Sequence, residues 1–396
     1  MSAAAEKRGL DALNVEKQRV LVRVDFNVPQ DERGAITDDT RIRAALPTIQ
    51  EIIARGGRPI LMSHLGRPKG VDEKLRLDPV AARLSQLLGA PVTKLGVSIG
   101  PEAEAACAAR QGPIVMLENV RFNAGETKGD PALAASYAKH GDVFVNDAFG
   151  TSHRDESSVS GVARLLPSAA GRLLEAEIKA FQRVLEKPER PLIAILGGAK
   201  ISDKLAVIDN LLDQVDTLLI GGGMAYTFLE AQGISIGKSM RDAAHLETVR
   251  AALAKGARRK VEICLPSDHV IAERFAADAP AKTVTGAVPD GWMALDIGPA
   301  TRALYTARIR TAKTLVWNGP MGVFEMPAFR AGTEAVGRAV AACPGYTVVG
   351  GGDSVAAVEL LGIAGQIRHI STGGGASLEL LEGKSLPGIA ALRYPA

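Results

Sequence analysis

Short apolar runs of strand length, each stopped by glycine or a polar pair and each followed by a helical pattern, recur along the chain. At its middle, Leu192-Ile193-Ala194-Ile195-Leu196 is broken by Gly197-Gly198, and a helical pattern opens around Lys200 and Lys204. This predicts a buried strand, a glycine turn and a helix start, with both lysines on one face because they lie four residues apart. Lysines oppose the partial positive charge of a helix N-terminus unless an anion offsets them. Turn N–H groups and two ammonium groups together suit a polyphosphate. Two solvated lysines on an exposed first turn fit the same residues.

In the first half, residues 19–26 alternate, with Val20, Val22, Val24 and Phe26 on one side and Leu21, Arg23 and Asp25 on the other. The alternation predicts a strand that delivers Asp25 and Asn27 at its C-terminal end. A helix is expected over 41–54, with Asp38, Asp39 or Thr40 as cap and Gly56-Gly57 as stop, and another near 79–88. Strands at 59–63, 114–117 and 143–145 lead into His64-Leu65-Gly66-Arg67, Glu118-Asn119-Val120-Arg121 and a polar stretch ending in His153-Arg154. Such alternation implies a parallel sheet covered on both faces, with ligands beyond the carboxyl ends of its strands. Those ends carry Asp25, Asn27, His64, Arg67, Arg121, His153 and Arg154, and Arg41 comes from a helix start. Each arginine alone reads as a surface charge or cap. As a set they suit a small, multiply anionic ligand, because guanidinium forks bind carboxylate and phosphate in bidentate fashion.

A charged amphipathic helix over 172–184 runs into the proline- and charge-rich stretch 186–191, which marks a domain boundary. Beyond it the strand ends are rich in glycine: Gly197-Gly198, Gly221-Gly222-Gly223, Asn318-Gly319-Pro320, Gly350-Gly351-Gly352-Asp353-Ser354 and Gly373-Gly374-Gly375. Glycine clusters ahead of helices let backbone approach a ligand closely, so the set suggests a nucleotide cradle. Gly233-Ile234-Ser235-Ile236-Gly237-Lys238-Ser239 imitates a phosphate loop, but it is one residue short and follows a helical stretch, so it reads as an ordinary loop. No G-x-G-x-x-G opens a helix after a strand. Asp353 suits a divalent cation or a helix N-cap, and the two roles are compatible.

Length and charge narrow the picture. A chain of 396 residues, 46% of them hydrophobic, is expected to form two domains. Its net charge of +3 gives no case for general nucleic-acid binding. Cys107, Cys264 and Cys343 show neither metal-ligand nor disulfide spacing, which fits a reducing, cytoplasmic setting. The start lacks the apolar core of a leader, and the most apolar window, 217–229, is too short to span a bilayer.

The chain resembles the phosphoglycerate kinases almost end to end. The resemblance runs through Val22-Arg23-Val24-Asp25-Phe26-Asn27-Val28-Pro29, Ser63-His64-Leu65-Gly66-Arg67-Pro68, Leu117-Glu118-Asn119-Val120-Arg121-Phe122 and Asn146-Asp147-Ala148-Phe149-Gly150-Thr151. It continues through Gly197-Gly198-Ala199-Lys200, Trp317-Asn318-Gly319-Pro320-Met321-Gly322-Val323-Phe324-Glu325, Gly350 to Ser354 and Ser371-Thr372-Gly373-Gly374-Gly375-Ala376-Ser377. The compact length resembles the bacterial branch. The resemblance implies two doubly wound, Rossmann-like α/β domains joined by a hinge helix. Residues 1–171 would bind 3-phosphoglycerate, 172–191 form the helix and linker, 192–380 bind nucleotide, and 381–396 return to the first domain.

It further implies that Asp25, Phe26, Asn27, Arg41, His64, Leu65, Gly66, Arg67, Arg121 and Arg154 bind 3-phosphoglycerate or 1,3-bisphosphoglycerate. Arg41, Lys200 and Gly374 would act on the phosphoryl group in flight. Lys204, Glu325, Gly351, Gly352, Asp353 and Ser354 would hold ATP or ADP, with Asp353 at Mg²⁺. The expected enzyme is a cytoplasmic monomer without nucleic-acid or membrane partners. Two departures from the family pattern, Leu95-Gly96-Val97-Ser98 and Ser267-Asp268-His269, fall outside these residues. A scaffold that had lost transfer activity would show damage at Arg41, Lys200 or Asp353, and all are present. An acid kinase of another kind would need a different acceptor pocket from the one His64, Arg67, Arg121 and Arg154 suggest.

Overall fold

A computed structural model describes residues 9–393. The start read above for a leader, 1–8, and the end of the expected tail, 394–396, lie outside the described residues. The chain divides into two compact units. One ends at Lys179 and resumes at Ser385; the other runs Ala180–Lys384, so the division falls inside the helix Arg172–Leu185.

In the first unit β1 (Arg19–Val24), β2 (Arg58–Met62), β3 (Val92–Lys94), β4 (Ile114–Met116), β5 (Val143–Asp147) and β6 (Ser168–Ala170) form one parallel sheet in the order β3-β4-β2-β1-β5-β6. Connections leave β1 and β5 in opposite directions, so the crevice of a doubly wound sheet opens between these neighbours. Helices cover both faces, and β2 and β5 are buried at every position. The helix Thr40–Ala54 turns Ile42, Ala45, Ile49 and Ile52 inward against Val20, Val22 and Leu61. Each such large side chain contributes roughly 1.5–3 kcal/mol of burial. Asp38 starts this helix by accepting the Thr40 N–H at 2.8 Å, while Asp39 is taken by Arg43 and Arg83. β1 stops at Val24, two residues before the expected end, because the Phe26 N–H turns to Ser63 Oγ at 2.9 Å and the Asn27 N–H to Asp25 Oδ1 at 3.2 Å.

The second unit contains β7 (Leu192–Leu196), β8 (Thr217–Ile220), β9 (Glu262–Cys264), β10 (Asp268–Ala272), β11 (Lys282–Thr285), β12 (Met293–Ile297), β13 (Thr314–Asn318), β14 (Tyr346–Val349) and β15 (His369–Ile370). Its main sheet is parallel, in the order β15-β14-β13-β7-β8-β9, with the switch of winding direction between β7 and β13. Two doubly wound α/β sheets are therefore present.

The alternation did not anticipate a small antiparallel sheet, β11-β10-β12. It explains the polar Ser267-Asp268-His269 stretch. The Asp268 carboxylate accepts the Ala300 and Thr301 N–H groups, both at 2.8 Å, at the head of the helix Pro299–Ile309. His269 lies between the Tyr226 hydroxyl at 3.1 Å and the Gly286 carbonyl at 3.0 Å. Among the described residues no helix is long and apolar enough to cross a membrane, and the cysteines are free thiols.

Candidate active site

At the carboxyl end of the first sheet, hydrogen bonds tie neighbouring loops together. The Gly66 N–H donates to Asn27 Oδ1 at 2.8 Å, and Arg121 Nη1 donates to the Gly66 carbonyl at 3.0 Å. The Asn119 side chain donates to the Leu65 and Leu75 carbonyls at 2.8 and 2.9 Å and accepts the Arg121 N–H. Phe26 and Leu65 are buried, so their side chains serve packing and only their backbone faces these loops.

A cleft of about 500 Å³ is lined by Arg67, Arg121 and Arg154 together with Lys69, Asn123 and Thr127. Arg67 and Arg154 are exposed; Arg121 is buried along its stem, its Nη2 on Glu156 Oε1 at 3.0 Å. The Arg121 Nε is buried with no hydrogen-bond partner among the described residues, which leaves a donor for an anion. Arg41 does not line this cleft. Its Nη1 lies on Asp25 Oδ2 at 2.9 Å, and Asp25 Oδ1 accepts the Asn27 N–H, so the Asp25 carboxylate orients Arg41. His153 is half-buried in the turn after β5.

His64 is 3% exposed. Burial first, and then the charges of Arg23, Arg121, Arg41 and Arg154, hold its imidazole well below the usual histidine range. It is therefore a neutral ring inside a strongly cationic field.

Arg23 is the residue the pattern missed. It is the next-to-last residue of β1 and is completely buried, its Nε donating to Ser158 Oγ at 2.8 Å and its Nη2 to His64 Nδ1 at 3.2 Å. The available signal was an arginine inside an otherwise apolar strand, which demands buried acceptors. Behind it lies Glu126, also fully buried, whose carboxyl is pushed up to about 7 chiefly by burial.

In the second unit the two central lysines part company. The stretch expected to open an α-helix is a loop followed by a single 3₁₀ turn, Ser202–Lys204, and the α-helix begins only at Leu205. Lys200 is exposed in the loop, with no hydrogen bond or ion pair among the described residues. Lys204 is 8% exposed and spans the switch point between β7 and β13. Its ammonium donates to the carbonyls of Gly197 at 2.6 Å and Asn318 at 2.8 Å and to Asn318 Oδ1 at 2.7 Å. Burial pushes it down to about 8, against the pull of Asp353 and Asp203. Gly319 permits this crossing, since its φ is +101° and a Cβ there would stand 2.6 Å from the Lys204 Nζ.

Around this tie, the Ser354 hydroxyl accepts the Gly319 N–H, and Asn318 Nδ2 is buried without a hydrogen-bond partner among the described residues. The helix Gly352–Leu360 starts after Gly351 with no side-chain cap, so Asp353 lies exposed in its first turn and does not cap it. The glycine turn before the helix Gly374–Leu381 faces Gly351 and Gly352, a Cβ on Gly374 standing 3.7 Å from the Gly352 nitrogen. Two helix N-termini therefore converge, and their first-turn N–H groups suit phosphate oxygens. Glu325 is exposed in the turn after β13.

Among the described residues no cluster of three or more acidic, histidine or cysteine side chains could enclose a metal. A lone exposed carboxylate beside a phosphate cradle nevertheless fits Mg²⁺, which keeps several waters and is commonly held by one or two carboxylates plus substrate phosphates. Asp353 meets that description.

The family model for phosphoglycerate kinase matches residues 10–384. The phosphoglycerate kinase of Moorella thermoacetica is 58% identical, over 98% of this chain and 99% of its own length. That of a Nostoc species is 54% identical, over 97% of each. The solved phosphoglycerate kinase of Coxiella burnetii superposes with a TM-score of 0.90 at 42% identity, covering 97% of this chain and 98% of that one. The enzyme of Pyrococcus horikoshii superposes with 0.80 at 33% identity and the same coverage. These similarities span nearly the whole chain, both α/β sheets included, and the chain belongs to the phosphoglycerate kinase family.

Proposed function

We propose that the chain catalyses the reversible glycolytic transfer of the acyl phosphate of 1,3-bisphosphoglycerate to ADP, giving 3-phosphoglycerate and ATP. The observation that carries this reading is the cleft lined by Arg67, Arg121 and Arg154, beside a buried His64 that feels the positive charge of Arg23, Arg121, Arg41 and Arg154. Such a field attracts a small substrate bearing both carboxylate and phosphate. In this reading Arg67, Arg121 and Arg154 neutralise the phosphoglycerate, Asp25 and Asn27 receive its hydroxyl, and the glycine turns of the second unit cradle the nucleotide. ATP and ADP are the co-substrates. Asp353 would hold Mg²⁺, which supplies neutralisation of phosphate charge when bound.

The transferring group carries dispersed negative charge and needs no protein nucleophile, so positioning and electrostatics supply the catalysis. Transfer is direct and in line, with Arg41, Lys200 and the Gly374 turn acting on the phosphoryl. A coupled assay with 1,3-bisphosphoglycerate and ADP tests the reading, and absence of ATP formation would overturn it. The enzyme would work as a cytoplasmic monomer.

Asp353→Asn is expected to weaken binding of Mg²⁺-ADP much more than of free ADP, since a neutral amide is a poorer ligand for a hard cation. Calorimetry with and without Mg²⁺ separates the two, and equal losses would remove Asp353 from the metal.

The phosphoglycerate residues lie in one unit and the nucleotide residues in the other, and transfer requires reacting atoms within about 3–3.5 Å. We therefore propose closure about the helix Arg172–Leu185 and the returning tail. Small-angle scattering should give a smaller radius of gyration with 3-phosphoglycerate and Mg²⁺-nucleotide together than with either alone. A profile indifferent to the pair would count against closure.

A further inference from the structure

The buried hydrogen bonds behind the basic cleft run in one direction only. The Ser158 hydroxyl donates to Glu126 Oε1, and the Ser158 N–H donates to Glu126 Oε2 at 3.2 Å. With its proton committed to Glu126, the Ser158 oxygen turns a lone pair to Arg23 Nε at 2.8 Å. Arg23 Nη1 donates to the carbonyl of Val24, and Glu156 Oε2 stands 3.9 Å from Nη2. Held on these sides, the guanidinium aims Nη2 at His64 Nδ1, 3.2 Å away.

A guanidinium has donors and no acceptor. Nδ1 must therefore accept, and the ring proton must sit on Nε2. The opposite tautomer would bring two donors together in a fully buried contact, where an unmade hydrogen bond is expensive. The other charges that bear on the ring, from Arg121, Arg41 and Arg154, are also positive, so a second ring proton is disfavoured too.

We propose that Arg23, braced by Ser158, is a positioning residue that fixes His64 as its neutral Nε2–H tautomer and so presents a single N–H donor to the phosphoglycerate. The identity of that ligand rests on the function proposed above; the tautomer does not.

The test is a two-bond ¹H–¹⁵N spectrum of the full chain labelled at histidine, with His64 assigned by its loss in His64→Gln. At neutral pH the wild type should show His64 protonated at Nε2 and bare at Nδ1. Ser158→Ala should give mixed tautomers and raise KM for 3-phosphoglycerate about fivefold, the effect of losing one ordinary hydrogen bond. Its kcat should stay within about twofold, and KM for ATP should not move. Ser158→Thr, which keeps the hydroxyl, should restore both readouts, and Arg23→Met should exceed Ser158→Ala in both. If Arg23→Met does not fold, the wild-type and Ser158→Ala spectra decide. A wild-type proton on Nδ1, or an unchanged tautomer in Ser158→Ala, would overturn the inference even if the chain proves active. The expected tautomer in a chain inactive with 1,3-bisphosphoglycerate would support it and overturn only the proposed function.

Discussion

Arg41→Ala should lower kcat by about two to three orders of magnitude, the range found when one preorganised donor to a developing charge is removed. Affinity for 3-phosphoglycerate should change little. The side chain leaves the second position of its helix, is 40% exposed, and is fixed at one nitrogen by Asp25 at 2.9 Å. A guanidinium anchored on one edge keeps its other edge open and needs no reorganisation when charge gathers on the phosphoryl. A group that acted on ground and transition states alike would instead alter KM. Two companions sharpen the expectation. Arg41→Lys should restore little, because a point charge on a flexible stem does not reproduce the planar fork. Asp25→Asn should reproduce part of the kcat loss, since it releases the anchored edge. Single-turnover rates with calorimetric binding of 3-phosphoglycerate separate these cases, and a rise in KM with kcat intact would remove Arg41 from the transition state.

The parts of the architecture that lay within short stretches were legible from pattern. Leu192–Leu196 announced a buried strand because five apolar residues ended in two glycines, and its bounds match β7. The basic residues after β1, β2, β4 and β5 were legible because parallel winding sends every strand end to one side of the sheet. What escaped depended on partners distant in sequence. Arg23 looked like one face of an alternating strand, and its burial is tolerable because acceptors distant in sequence meet it, the Ser158 oxygen 135 positions away and His64 Nδ1 41 positions away. The sheet β11-β10-β12 escaped because β11, Lys282–Thr285, is short, polar and mostly exposed, so it has no apolar face to report. Asp353 was compatible with capping until Gly351 proved to precede the helix without any side-chain cap.

Lys204 gives the other large expected effect. The oxygens that bind its ammonium come from Gly197 and from Asn318, the latter 114 positions away, and together they join β7 to β13 at the switch point. Lys204→Ala would leave the Gly197 carbonyl and Asn318 Oδ1 buried and unsatisfied, the Asn318 carbonyl keeping the Gly197 N–H at 3.0 Å, and should destabilise the protein by about 2–4 kcal/mol in urea unfolding. Lys204→Met, which fills the space without the charge, should cost about 1–3 kcal/mol by the same argument.

The sign of the pH dependence follows from its lowered value. Burial brings the folded-state ammonium from 10.5 to about 8, so between those values the unfolded chain holds the extra proton. The thiols of Cys107, Cys264 and Cys343, raised from 9.0 by burial, act in the opposite sense, so it is the unfolding free energy of the wild type relative to Lys204→Met that should rise with pH through that window. The same geometry bears on the nucleotide. Every N–H of the ammonium is directed at a protein oxygen, so a phosphate can be gripped only by displacing one of those bonds. If Lys204 holds the phosphates, ADP should bind at least about tenfold more weakly to Lys204→Met, the loss of one charge-assisted bond in a buried site. Unchanged ADP binding beside reduced stability would make Lys204 a tie between strands and leave the phosphates to Lys200 and the glycine turns.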